Sequence, residues 1–214
     1  MKRLILLLIL CPVLALGQTS ARRDSLRITA CYQVGLPIAG TAAVTTAMMN
    51  NAINYAVQRV STDFPAIEKI DTLVLRDTAQ GVALPSDLFQ IKWCQMMFLD
   101  TLVPLEYITE DELYSKRNLS VPRYYYTQAD RLLTWPRLRE EMYDLDSALV
   151  FIGYYAIDSA LASDSAETDI PEDYRDELID YICYQLEMMR YRHESAAFYA
   201  ARYEKAKAEA RAGK

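Results

Sequence analysis

The spacing of the apolar residues changes twice along this chain, and that change limits the fold more than any single motif. Helical spacing governs residues 22–63, strand-like runs occupy 70–155, and helical spacing returns from Pro171 onward. Residues 22–34 read as a short helix, broken around Gly35-Leu36-Pro37 and Gly40. Thr41 then caps a longer helix to about Asp63. Val44, Met48, Ala52, Tyr55, Ala56 and Val60 form its apolar stripe, with Asn50, Asn51 and Asn54 along it. Phe64-Pro65 ends that helix, because the residue before a proline is pushed out of the helical region.

The middle of the chain reads as short strands. Candidates are 70–75, a buried apolar run over 89–99, 102–108, 123–127, 131–135 and 149–155. Leu84-Pro85-Ser86-Asp87 is a turn, and Gln128-Ala129-Asp130 links two of the strands. Thr109-Glu110-Asp111-Glu112 has the spacing of a capping box before a short helix. Residues 159–169 read as a polar, acidic linker. Pro171 opens a helix whose first-turn carboxylates suit its positive end, and a last helix spans about 194–210.

The expected fold class is therefore α+β: a helical bundle from the N- and C-terminal segments carrying a small antiparallel β insertion. The boundaries are a signal-like apolar segment at 1–17, N-terminal helices at 18–66, the β insertion at 67–157, and an acidic linker with C-terminal helices at 158–214. Residues 18–214 are read as one domain.

The first segment stands apart. Lys2 and Arg3 precede an apolar run over 4–16, and Ala15-Leu16-Gly17 has the small-x-small pattern of a cleavage site. The run is shorter than the roughly 20 residues of a membrane span. Cleavage after Gly17 would place the protein in a periplasm or outside the cell. Retained, the segment would pack on the protein. Beyond it remain Cys31, Cys94 and Cys183, an odd and widely spaced set that is no disulfide framework.

Catalytic chemistry finds little purchase. His193 is the only imidazole, and no Gly-x-Ser-x-Gly elbow accompanies it. One cluster of carboxylates comprises Glu140, Glu141, Asp144 and Asp146; a second comprises Asp158, Asp164, Glu167 and Asp169. Neither has the spacing of a calcium loop, and both read as solvated acidic loops. No catalytic, metal or cofactor residue is assigned, no cofactor is expected, and the chain is not expected to be an enzyme. A net charge of −6 argues against broad, salt-driven binding to nucleic acid.

Tyrosine carries the stronger signal, with 16 against 5 Phe and 2 Trp. A ring with one apolar end and one wet end suits an interface as well as a core margin. After Tyr203 the last helix has few large apolar residues, so it either docks on a partner or frays.

The order of these features resembles the head–tail connector, or adaptor, proteins of tailed bacteriophages, over roughly 23–212. The resemblance rests on Met49-Asn50-Asn51-Ala52-Ile53-Asn54 in the helical part and Asp63-Phe64-Pro65-Ala66 before strand Thr72-Leu73-Val74-Leu75. It continues through Leu84-Pro85-Ser86-Asp87-Leu88-Phe89 and Pro104-Leu105-Glu106-Tyr107-Ile108. Val121-Pro122-Arg123-Tyr124-Tyr125 and Leu132-Leu133-Thr134-Trp135-Pro136 match the hairpin, and Phe151-Ile152-Gly153-Tyr154-Tyr155-Ala156 the closing strand. Ile170-Pro171-Glu172-Asp173-Tyr174 opens the long helix, and Tyr203-Glu204-Lys205-Ala206 lies near the end.

The resemblance implies a structural virion protein, assembled in the host cytoplasm, that forms a homo-oligomeric ring, expected to be twelvefold, beneath the portal. The ring would join the portal protein to the next tail component and extend the DNA channel, with DNA passing through without sequence-specific binding. An acidic wall that repels phosphate suits that passage. The implied portal contacts are Tyr203, Lys205, Lys207, Arg211 and Lys214; Tyr124, Tyr125, Tyr126 and Trp135 are the implied tail-side or inter-subunit contacts. Removing residues 203–214 is expected to weaken assembly without unfolding the core. The alternative implied by the N-terminal segment is an exported, envelope-associated interaction protein of a bacterium.

Overall fold

The computed structural model describes residues 21–75, 81–98, 101–116, 122–136 and 148–213. The signal-like segment, the carboxylates Glu140, Glu141, Asp144 and Asp146, and Lys214 lie outside the described residues.

Among the described residues, four α-helices flank seven strands in chain order. These are α1 (Arg23–Val34), α2 (Thr46–Asp63), β1 (Glu68–Leu75), β2 (Val82–Ala83), β3 (Leu88–Phe98), β4 (Thr101–Tyr107), β5 (Tyr124–Gln128), β6 (Arg131–Trp135), β7 (Ala148–Ala156), α3 (Arg175–Met189) and α4 (His193–Arg211). A 3₁₀ helix, Glu110–Ser115, follows β4 and has the capping box, with Thr109 and Glu112 exchanging side-chain and backbone hydrogen bonds.

The strands form one sheet in the order β1-β7-β3-β4-β5-β6-β2. Its two edge strands, β1 and β2, come back alongside each other, so the sheet is a nearly closed barrel. This corrects the expected bundle with a small antiparallel insertion. The fold is α+β, but the sheet is a major body, and it is mixed: β4 and β5 run parallel at Glu106–Tyr124 and Tyr107–Tyr125.

The reason is long-range pairing. The last strand, β7, inserts between β1 and β3 and pairs antiparallel with both. The 3₁₀ helix carries the chain across the end of the sheet, so β5 enters in the same direction as β4. No local pattern in either strand specifies these neighbours.

Local chemistry sets the helix ends. Gly35 closes α1 at φ 65, a left-handed cap that glycine adopts without a Cβ penalty, and Leu36 N donates to the carbonyl of Cys31. The cap of α2 is Thr45, whose hydroxyl accepts from Met48 N at 3.3 Å, rather than Thr41. Thr41 instead accepts from Val44 N at 3.1 Å within the loop that the Gly40–Thr45 bridge closes. The buried face of α2 also differs from the expected stripe. Met49, Ile53 and Val57 are inside with Ala52, Ala56 and Val60, while Met48 and Tyr55 are exposed.

One continuous core joins α1, α2 and α3 to the inward residues of the barrel, including Leu73, Leu75, Cys94, Met96, Val150 and Ile152. The run at 89–99, expected to be fully buried, alternates: Cys94 and Met96 face inward while Phe89 is exposed. A smaller cluster of Ile108, Tyr126 and Leu133 sits outside the barrel wall, against Leu113 of the 3₁₀ helix. Among the described residues, no helix is long and apolar enough to cross a membrane.

Candidate functional site

The C-terminal helix α4 lies along α3 with only Ala196, Tyr203 and Lys207 buried. Its anchor is Asp63, the last residue of α2. The Asp63 carboxylate, 7% exposed, accepts from Tyr203 Oη at 2.9 Å and Lys207 Nζ at 2.9 Å, with Arg59 Nε at 2.8 Å. Burial pushes the Asp63 carboxyl up, but the bonds from Lys207 and Tyr203 and the charge of Arg59 outweigh it and hold it below the usual range. Burial and the Asp63 carboxylate together raise the Tyr203 phenol. The Tyr203 ring packs edge-on against Phe64 and tilted against Tyr181.

Two of the five residues implied as portal contacts, Tyr203 and Lys207, therefore sit inside the chain's own core. Lys205 and Arg211 are exposed. Residues 203–214 thus include two buried side chains that contact α2, where the sequence implies only partner contacts. A helix with few large apolar residues is held here by a buried ion pair and one aromatic ring. The signal for it was Asp63 at the end of α2, which reads in the sequence only as part of the Asp63-Phe64-Pro65-Ala66 helix end and not as a partner for α4.

Residues 159–169 are mostly exposed, as expected of an acidic loop, but the loop is tied down at several points. Asp158, 5% exposed, accepts from the Thr168 hydroxyl and from Asp169 N, while its own N–H donates to Ser61 Oγ at 3.2 Å. Burial raises the Asp158 carboxyl despite those bonds. Asn54 Oδ1 accepts from Leu161 N at 3.0 Å, tying the loop to α2. Asp164 receives Arg23 at 2.8 Å and Arg27 at 3.0 Å, and their hydrogen bonds hold its carboxyl down at about 2. Glu167 pairs with Arg22, and Asp169 with Lys69, which also binds Asp87 at 2.9 Å. The Asp158 carboxylate is satisfied within the loop, whereas Asp164, Glu167 and Asp169 pair with side chains from distant parts of the chain, which sequence spacing could not reveal. The loop pins the start of α1 to the barrel.

The aromatic hairpin divides its rings between two environments. Tyr125 points into the main core against Leu105 and Leu132, and burial pushes its phenol up to about 12. Tyr126 packs on the outer side of the same strand with Ile108 and Leu133. Tyr124 and Trp135 are half-buried beside that outer cluster. Lys116 Nζ stands 5.0 Å from the centre of the Tyr124 ring. Of the implied tail-side set, Tyr124 and Trp135 are the partly open members.

His193 is the exposed first residue of α4. Cys31, Cys94 and Cys183 are buried free thiols, and burial pushes Cys94 and Cys183 up to about 12, away from nucleophilic use. Among the described residues, no group of three or more His, Cys, Asp or Glu side chains is placed to hold a metal.

The geometry thus consists of a pinned helical layer, a barrel and open margins. Compared with known families, residues 19–214 match the SU10 adaptor protein family. The chain belongs to the SU10 adaptor protein family. It is by that membership a bacteriophage structural adaptor, a component of the virion that works with portal and tail proteins. The SU10 adaptor match leaves the signal-like segment 1–17 outside its span. No curated protein sequence matches the chain.

Proposed function

We propose that this adaptor forms a closed ring, twelvefold as the resemblance implies, that joins the portal to the next tail component and extends the DNA channel. The family match over 19–214 carries the proposal. Two features are consistent with it. The chain separates a helical layer from a barrel, which gives a joint two unlike ends. Its charge of −6 suits a wall along which DNA slides without sequence-specific binding. In this proposal the exposed Lys205 and Arg211 of α4 face the portal, and Lys214, outside the described residues, is a further portal contact. Tyr124 and Trp135 lie on the tail side or between subunits. Tyr203 and Lys207 act from within, by holding α4 in place.

Electron microscopy of the purified full chain, alone and with a portal ring, tests this. Rings and portal capture are expected; a strictly monomeric protein without affinity for a portal ring would refute it. The signal-like segment favours a second reading, an exported envelope-associated protein carrying an adaptor fold. That reading requires a mature N-terminus at Gln18, and an intact Met1 in the native particle eliminates it.

A further inference from the structure

One side of the barrel carries an apolar surface that no described helix covers. On the outward face of β1, β7, β3 and β4, Ile70 stands opposite Gly153, and Gly153 opposite Trp93. A Cβ on Gly153 would meet Trp93 Nε1 at 2.2 Å, so the indole lies across the bare glycine on this face. Ile70 is 72% exposed, and Leu102 on β4 is 51% exposed. Alternation along β7 brings Leu149 and Phe151, both half-buried, to the same side. The ion pair Lys92–Glu68 closes one margin at 2.7 Å. Glu106 on β4 stands exposed at another margin and has no ion pair among the described residues.

Strand spacings of about 4.8 Å and a rise of about 3.4 Å per residue give this face an area of roughly 250 Å². That is close to the largest apolar patch of an ordinary monomer, and about a third of the roughly 800 Å² each partner gives to a stable interface. The face runs into a groove of about 680 Å³ lined by Trp93, Gln95 and Pro104. The groove exists because β4 pairs with β3 only from Cys94 onward, leaving residues 88–93 bonded to β7 alone.

A second, different apolar surface lies at the corner between α3 and α4. Tyr191, at φ 57, is 83% exposed, Phe198 is 59% exposed, and Met188 is 39% exposed. Arg202, paired with Asp180, sits 5.8 Å from the centre of the Phe198 ring, and Arg192 is exposed without an ion pair among the described residues. An interface between identical copies that closes into a ring needs two unlike patches on each copy. Here one is a sheet face with an exposed Glu106 at its margin, and the other a protruding aromatic corner with an exposed Arg192.

We propose that these are the two halves of one subunit contact: the α3–α4 corner of one copy seats on the outer sheet face of the next. Tyr191 and Phe198 meet Ile70 and Trp93, with Arg192 toward Glu106. The proposal rests on the ring reading above and names its contact surface.

Sedimentation and negative-stain microscopy of the full chain over a concentration series test it. Ile70→Asp places a charge in the contact, and Tyr191→Asn removes the ring while suiting the positive φ. Both sites are exposed, so thermal melting monitored by circular dichroism should be unchanged. Each variant alone should need about tenfold more protein, or higher still, to assemble. An equimolar mixture should give heterodimers, because each variant keeps the half that the other has lost. If the wild type forms rings and both variants do so equally well, the proposed contact is overturned and the ring stands. A wild type that stays monomeric overturns both. If Ile70→Asp assembles normally and removing residues 1–20 exposes Ile70 to hydrogen exchange, the chain's own N-terminal segment covers the face, and the contact is again overturned.

Discussion

Replacing Asp63 with Ala should be among the most damaging single changes in this protein. The carboxylate is 7% exposed and joins Lys207, itself 10% exposed, to Tyr203, which is 2% exposed. Removing one member of a buried ion pair costs about 3–5 kcal/mol, because the other charge stays buried without compensation. The orphaned Tyr203 hydroxyl adds about 1 kcal/mol. Arg59, 42% exposed, contributes little to that sum. The expected loss is therefore about 4–6 kcal/mol, a large part of the stability of a domain this size. The double variant Asp63→Ala/Lys207→Met should recover much of it, since the stranded charge is gone. Urea unfolding at one protein concentration measures all three, and a double-mutant cycle should give a coupling of about 2–3 kcal/mol. The pH dependence has a definite sign. The folded carboxyl lies below its unfolded value, so its contribution is present above about pH 4 and is lost as pH falls through the lowered folded value. A loss under 1 kcal/mol, or strict additivity with Lys207→Met, would refute the view that this knot holds α4.

Three further outcomes follow from other sites. Truncation before Tyr203 should lower the unfolding midpoint as well as any assembly; an unchanged midpoint would show that the ring and ion pair contribute nothing. Gly153→Ala should displace the Trp93 indole, costing about 1–3 kcal/mol and shifting Trp93 emission in a Trp135→Phe background; an unshifted spectrum would contradict the packing. Burial pushes Asp180 up to about 6 against the opposing charge of Arg202, with Asp176 and Glu177 adding to the rise. Its folded value lies above its unfolded one, so its contribution is full below about pH 4 and fades as pH rises through 6. Stability followed from pH 4 to 7 should fall less steeply in Asp180→Asn than in the wild type, and parallel curves would remove Asp180 as the cause.

The sequence on its own determined what depends on near neighbours. The capping box at Thr109, the left-handed end of α1 at Gly35, the break at Phe64-Pro65 and the order of the helices and of every strand but the two-residue β2 all follow from residues a few positions apart. Even there, α2 shows the limit. Two threonines can each cap a helix start, and the structure uses Thr45 at the cap and Thr41 in the preceding loop; the buried face is set by packing against the rest of the core.

Tertiary structure decided whatever joins distant residues. It placed β7 between β1 and β3, turned an expected insertion into a nearly closed mixed barrel, and gave Asp164, Glu167 and Asp169 partners from distant parts of the chain. It also put Tyr203 and Lys207 inside while leaving Lys205 and Arg211 outside. The reason is physical: a tyrosine, lysine or aspartate carries the same local preferences whether it meets water or a partner. Only the three-dimensional chain path settles which of the two it meets, and so whether its charge or hydroxyl stabilises the fold or remains open to another molecule.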